Sequence, residues 1–163
     1  MQAECIKLLS SDIVEHQDLI LEALKASLPP TFSGDGDESE ARFIQALVSD
    51  LMQCWVVRSD GVMKCLCVTM ISGDQFSLEK DLLIYAMYGV GEFDQYAIRK
   101  GMDVLGRYAK GLGCKRIAYY TEHDSMVKSV AGTIGVEPLV QSYVSFDVDE
   151  IISPQQVIEE VGT

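Results

Sequence analysis

Apolar and polar positions along this chain recur with two periods, one near 3.6 residues and one near 2. Residues 5–9 read as a short strand. Ile13, Leu19, Ile20, Ala23, Leu24 and Leu28 then recur at helical spacing. Asp12 followed by Glu15 gives a capping-box pattern at the start of that helix, and Pro29-Pro30 stops it. Ile44, Leu47, Val48 and Leu51 predict a second helix, with Asp37 and Glu40 placed to cap it. Residues 54–58 and 62–71 read as two strands around Asp60-Gly61, a strong hairpin signal. A third long strand covers 81–90 and ends in Gly89-Val90-Gly91. Asp94 is the expected N-cap of a third helix with the stripe Ile98, Met102, Leu105, Tyr108, Ala109 and Leu112, ended by Gly111 and Gly113. Residues 116–121 predict a strand, and 124–134 a helix closed by Gly135. Residues 138–148 predict a final strand. In a C-terminal tail spanning 149–163, Ser153, Pro154 at the first helical position and Gln156 three after the cap start a short helix.

The expected order is therefore β, α, α, β, β, β, α, β, α, β. It describes one α/β domain over residues 1–163, without internal repeats. The periodicity places Val56, Leu66, Val68, Leu83, Ile84, Leu105, Ile117, Val130 and Ile134 in one core. Residues 31–40 are polar and acidic, with Gly34 and Gly36, and are expected to be the least ordered internal segment.

Charge narrows the choice of partners. Thirteen basic against 25 acidic side chains give a net charge of −12. Such a surface repels nucleic-acid phosphates and anionic lipid, and favours a basic protein partner or a cationic small molecule. The longest apolar run, 82–90, is too short to span a bilayer. The first five residues lack the pattern of a signal peptide, which points to the cytoplasm. The five cysteines have no framework spacing, as expected for a reducing compartment. Cys65 and Cys67 share one face of a strand, but only His16 and His123 could join them as nitrogen ligands. Small buried side chains are the simpler reading, and no metal is expected.

The order of elements resembles the GNAT (acyl-CoA N-acyltransferase) superfamily over about residues 4–148. Three stretches carry the likeness. Trp55-Val56-Val57-Arg58-Ser59-Asp60-Gly61 is similar to the hairpin between that fold's second and third strands. The stretch from Tyr108 through Gly111, Gly113 and Ile117 is similar to the end of its central helix and the strand that follows. Asp124 to Gly135-Val136-Glu137-Pro138 is similar to its last helix and turn. The resemblance implies a mostly antiparallel mixed sheet flanked by helices on both faces. It also implies acetyl-CoA in a gap between the fourth and fifth strands, with its pyrophosphate on the N-terminus of the third predicted helix, where free amides and the helix dipole favour an anion. The family's motif there is R/Q-x-x-G-x-G/A. This chain has Phe93-Asp94-Gln95-Tyr96-Ala97-Ile98 instead, so the basic residue and both glycines are replaced, and Glu92 and Asp94 add negative charge.

By the same resemblance, Tyr88, Gly89, Val90 and Gly91 would line the pantetheine slot, and the amides near Tyr88 to Val90 would polarise the thioester carbonyl. Arg99 and Lys100 would reach a phosphate. The place of the family's proton-donating tyrosine falls near Ala131. Candidates for a base are Asp81, Glu122 and His123, of which His123 has the suitable ordinary pKa. Tyr85, Tyr119 and Tyr120 are further groove candidates. Residues 80–85 are similar to the fourth strand of some bacteriophage-encoded GNAT-like proteins, which would put the chain in a host cytoplasm.

Two functions follow. The first is a non-catalytic binding or assembly module with a degenerate acetyl-CoA site, with a protein partner or as a homo-oligomer. The second is an acetyl-CoA-dependent N-acetyltransferase acting on a cationic amine. A redox or metal protein built on Cys65 and Cys67 would need ligands that the sequence does not place nearby.

Overall fold

A computed structural model describes residues 2–27, 37–121 and 123–152. Five strands form one mixed sheet in the order β1-β2-β3-β4-β5. β1 (Ala3–Lys7), β2 (Met52–Ser59), β3 (Val62–Gly73) and β4 (Lys80–Gly89) are antiparallel neighbours, and β5 (Arg116–Tyr119) runs parallel to β4. The β2–β3 hairpin turns at Asp60-Gly61, with φ of 50° and 77°, the left-handed pair that a two-residue hairpin turn needs. The parallel step from β4 to β5 requires a crossover, which α4 (Gln95–Gly111) supplies.

Helices cover both faces, as the resemblance implied. On one face α1 (Ser10–Glu15), α2 (Gln17–Ser27) and α3 (Asp37–Val48) bring Ile13, Ile20, Leu24 and Leu47 against Cys54, Leu66, Val68 and Ala86. On the other, Ala97, Leu105 and Ala109 of α4 pack on Trp55, Val57, Cys65, Cys67, Leu82 and Ile84. α5 (Asp124–Ile134) lies beside α4 and buries Val130. The expected single core is thus two cores separated by the sheet. Val56, Leu66, Val68, Ile84, Leu105 and Val130 are buried, whereas Leu83, Ile117 and Ile134 are only half-buried.

A buried polar chain ties β2 to β3. Trp55 Nε1 donates to Thr69 Oγ1 at 2.9 Å, and Thr69 Oγ1 donates to Gln53 Oε1 at 2.9 Å. The Trp55 ring also meets Tyr108 of α4 edge-on, with centroids 4.9 Å apart.

Three expectations change. The first predicted helix breaks at His16 into α1 and α2. It also starts earlier, at Ser10, so Asp12 is not its cap but sits one turn in, and its carboxylate accepts from Leu9 N at 3.1 Å. The predicted strand at 138–148 does not form. Residues 136–147 have no regular structure, and 148–152 make a short helical turn. Alternation records strand propensity, but a strand also needs a partner edge, and this segment makes no ladder with β5. Finally, residues 37–40 are the first turn of α3 rather than loop. Residues 31–36, Pro29-Pro30 and the helix expected after Ser153 lie outside the described residues. Among the described residues no helix is long and apolar enough to cross a membrane.

Two register shifts decide where side chains point. Val68 faces Ala86 while Thr69 faces Ile84, so Tyr85 is an extra residue on β4. Val57 faces Cys65 while Arg58 faces Met63, so Lys64 is an extra residue on β3. Each bulge resets the alternation of its strand.

Candidate functional site

β4 and β5 pair only over Asp81–Ile84 and Arg116–Tyr119. Beyond the bulge at Tyr85, β4 runs on without β5, and a cleft of about 340 Å³ opens there. The end of β4 contributes Met87, Gly89, Val90 and Gly91. The approach to α4 contributes Glu92, Phe93, Asp94, Ala97 and Ile98, and the start of α5 contributes His123, Ser125, Met126 and Ser129. Lys64 and Cys65 form its floor on β3. A smaller apolar recess of about 40 Å³ continues under α4, bordered by Cys67, Ile84, Leu105 and Tyr119.

The N-terminus of α4 faces this cleft, and its amides are already engaged. Asp94 is the N-cap as predicted, and its Oδ1 accepts from Tyr96 N at 2.9 Å and Ala97 N at 3.1 Å. These bonds, the one from Ala97 foremost, hold the Asp94 carboxyl below the usual carboxylate range. Lys64 and the buried Ser59 hydroxyl stand near enough to act in the same direction. Ser59 Oγ nonetheless makes no hydrogen bond of good geometry to any described atom. Because the pKa is depressed, this cap stabilises α4 at neutral pH. It is lost only as pH falls through a range below the ordinary value of about 3.9.

The other candidates separate. Gly89, Val90 and Gly91 line the cleft, but the Val90 N–H donates to Lys64 O at 2.8 Å and is taken. Tyr88 pairs with Leu66 and does not line the cleft. Arg99 donates to Thr133 O at 2.7 Å, joining α4 to the C-terminal end of α5, where a cation meets the helix dipole favourably. The charge of Lys100 acts on the Cys5 thiol of β1, partly offsetting the rise that burial causes. Neither basic residue lines the cleft. Asp81 sits at the other end of β4, in an ion pair with Arg116 at 3.4 Å. Met87 lies six residues further along the strand, about 20 Å along the sheet. His123 borders the cleft at the N-cap position of α5, and its N–H donates to Thr121 Oγ1 at 3.1 Å. Glu122 lies outside the described residues. Ala131 does not line the cleft, and Tyr85 packs on Phe43 with centroids 5.9 Å apart.

Sequence reasoning missed Lys64, Ser125 and Ser129. The serines' i, i+4 spacing on one helix face could have marked them. Lys64 carries no such signal, because only the bulge brings it to the cleft.

Cys54, Cys65 and Cys67 are buried. Burial pushes the thiols of Cys54 and Cys65 up to about 12, that of Cys5 up to about 11, and that of Cys67 well above the ordinary range. Among the described residues no group of three or more His, Cys, Asp or Glu side chains could hold a metal ion. Titration of the folded protein with a thiol-reactive disulfide at pH 8 is expected to modify Cys114 and, more slowly, Cys5. All five cysteines should react in guanidinium. Prompt reaction of Cys65 or Cys67 in the folded state would show that the recess opens.

No family model matches the sequence, and no curated protein matches it. The fold, however, is that of solved acetyltransferases. AAC(6')-Iy, in complex with the bisubstrate analogue CoA-S-monomethyl-acetylneamine, superimposes with a TM-score of 0.65 at 13% identity, covering 90% of this chain and 99% of that one. Glucosamine-6-phosphate N-acetyltransferase from Arabidopsis thaliana gives 0.59 at 19% identity, covering 90% and 100%. Ribosomal-protein-alanine N-acetyltransferase from Brucella melitensis biovar Abortus gives 0.60 at 13% identity, covering 90% and 100%. This chain therefore has the GNAT fold.

Proposed function

We propose that this chain is a GNAT-fold binding or assembly module whose acetyl-CoA phosphate site is closed by its own residues. The observation that supports this is the Asp94 carboxylate on the amides of Tyr96 and Ala97. A pyrophosphate at the start of α4 would have to displace that carboxylate and then sit beside it and Glu92. Lys64 offsets one of these charges, while Arg99 is committed to α5. The residues present therefore do not fit the diphosphate. The remaining cleft and the acidic surface suit a basic protein partner or a cationic small molecule, in the cytoplasm of a cell or, for a phage-encoded chain, of its host.

A second reading, an N-acetyltransferase acting on a cationic amine, is favoured by the cleft itself and by the acetyltransferases that share the fold. In that case His123 would take the proton from the amine. Calorimetric titration with acetyl-CoA at low salt separates the two, run on the unmodified protein and on an E92R/Y96G/I98G variant. The expected result is no binding below about millimolar by the unmodified protein and measurable binding by the variant. Micromolar binding by the unmodified protein would overturn the module reading in favour of the enzyme.

A further inference from the structure

The cleft and the recess under α4 are one continuous space, because Cys65, Met87, Ala97, Ile98 and Val130 border both. Its charged groups all stand at the open end. Lys64, Glu92 and Asp94 line the cleft and not the recess, whose further walls come from Val57, Cys67, Ile84, Met102 and Leu105. Two carboxylates thus face one ammonium. Asp94 accepts from two backbone N–H groups, and Lys64 acts on it as well. Glu92 makes no hydrogen bond or ion pair with any described residue. Beside it on the cleft, Phe93 is 59% exposed and Val90 36%. An unpaired carboxylate next to an exposed aromatic ring suits an organic cation, through charge and through attraction to the ring face. Further in, Gly101 keeps the recess open. It is buried and has no side chain, and a Cβ there would meet Val57 Cγ2 at 3.5 Å.

We propose that this space binds a monocationic alkylammonium, its ammonium against Glu92 and Phe93 and its unbranched tail running under α4 to Gly101. The inference rests on the reading that the diphosphate place is closed, and it names the small molecule that the same cleft takes. At about 340 Å³ the cleft has the size of a small-molecule site. The charge count selects one cation. A second positive charge on the tail would enter an apolar recess without a partner. An anion would meet Glu92 and Asp94, and a neutral molecule would leave Glu92 unmatched. The helix sets the length of the tail. From Asp94 to Gly101, α4 rises about 10 Å at about 1.5 Å per residue. An extended chain advances about 1.2 Å per bond, so about six to eight carbons span that distance.

The test is an amide NMR titration of the full chain at neutral pH with propyl-, butyl-, hexyl- and octylammonium, beside hexanol, hexanoate and hexamethylenediamine. Amides of residues 89–98 and 123–130 are expected to shift. Affinity should rise about fourfold per added methylene and level off between hexyl and octyl. Hexanol, hexanoate and the diamine should each bind at least about tenfold more weakly than hexylammonium. Glu92→Gln should weaken every alkylammonium by about threefold to tenfold. Gly101→Ala should leave propylammonium unchanged and weaken octylammonium by about fourfold or more. That variant keeps the fold, because its methyl makes an ordinary contact with Val57 and alanine is the better helix former. No saturable shift at millimolar octylammonium, an affinity independent of tail length, or equal binding of hexanol would overturn the proposal. So would shifts confined to the exposed apolar residues of 136–148, or an octylammonium affinity unchanged in both variants. Acetyl-CoA titrated alone keeps the two readings apart. Its micromolar binding defeats the module reading, whereas failure of both acetyl-CoA and the alkylammonium ions to bind defeats this inference alone.

Discussion

Trp55→Ala is expected to lower the free energy of unfolding by about 3–5 kcal/mol, the range for removing a large aromatic side chain from a core. The indole is 4% exposed and fills the space between β2 and α4. Its loss leaves a cavity that the surrounding strands cannot close, because Val57, Cys65 and Cys67 are held by the ladder on either side. It also removes the donor to Thr69 Oγ1, which is itself fully buried, and the edge-on contact with Tyr108. Against a total stability of about 5–15 kcal/mol, this is a large fraction. Trp55→Phe keeps most of the ring volume and loses the N–H donor, so it should cost about 1–3 kcal/mol. Urea unfolding followed by circular dichroism measures both. If the alanine variant costs no more than the phenylalanine one, packing is not what the indole contributes.

The second large effect concerns the start of α4. In the E92R/Y96G/I98G background, Asp94→Gly is expected to raise acetyl-CoA affinity by a further tenfold to hundredfold. A carboxylate about 5 Å from a phosphate at a partly solvated site costs about 1–3 kcal/mol, and the same carboxylate occupies two amides that the phosphate would use. Asp94→Asn separates these contributions. It removes the charge but keeps a side-chain oxygen able to cap the helix, so its gain should fall between that of aspartate and that of glycine. Because glycine is a tolerable N-cap, the stability cost should be only a few tenths of a kcal/mol. A glycine variant that stays folded and shows no gain would mean that Asp94 is not what closes the site.

What the sequence determined by itself is local. Helical spacing marked α4 and α5. Asp60-Gly61 marked the hairpin, Asp94 the α4 cap, and Gly135, at φ 71°, the end of α5. Each depends on residues within one or two turns of each other, where propensity and capping act directly. The order of those elements, together with the stretches at residues 55–61, 108–117 and 124–138, carried the resemblance to the fold. Tertiary structure decided the rest. The bulges at Tyr85 and Lys64 come from how strands pair rather than from the residues that bulge. The first lies where the pairing of β4 with β5 ends and the cleft opens, and the second sits at Lys64, which lines that cleft. Asp81, Glu122 and His123 were all candidates in the sequence, with His123 preferred for its ordinary pKa, but only the fold puts Asp81 beside Arg116 and His123 on the cleft. Residues 138–148 have the alternation of a strand and form no ladder among the described residues, because a strand's hydrogen bonds require an edge from elsewhere, which no local pattern encodes.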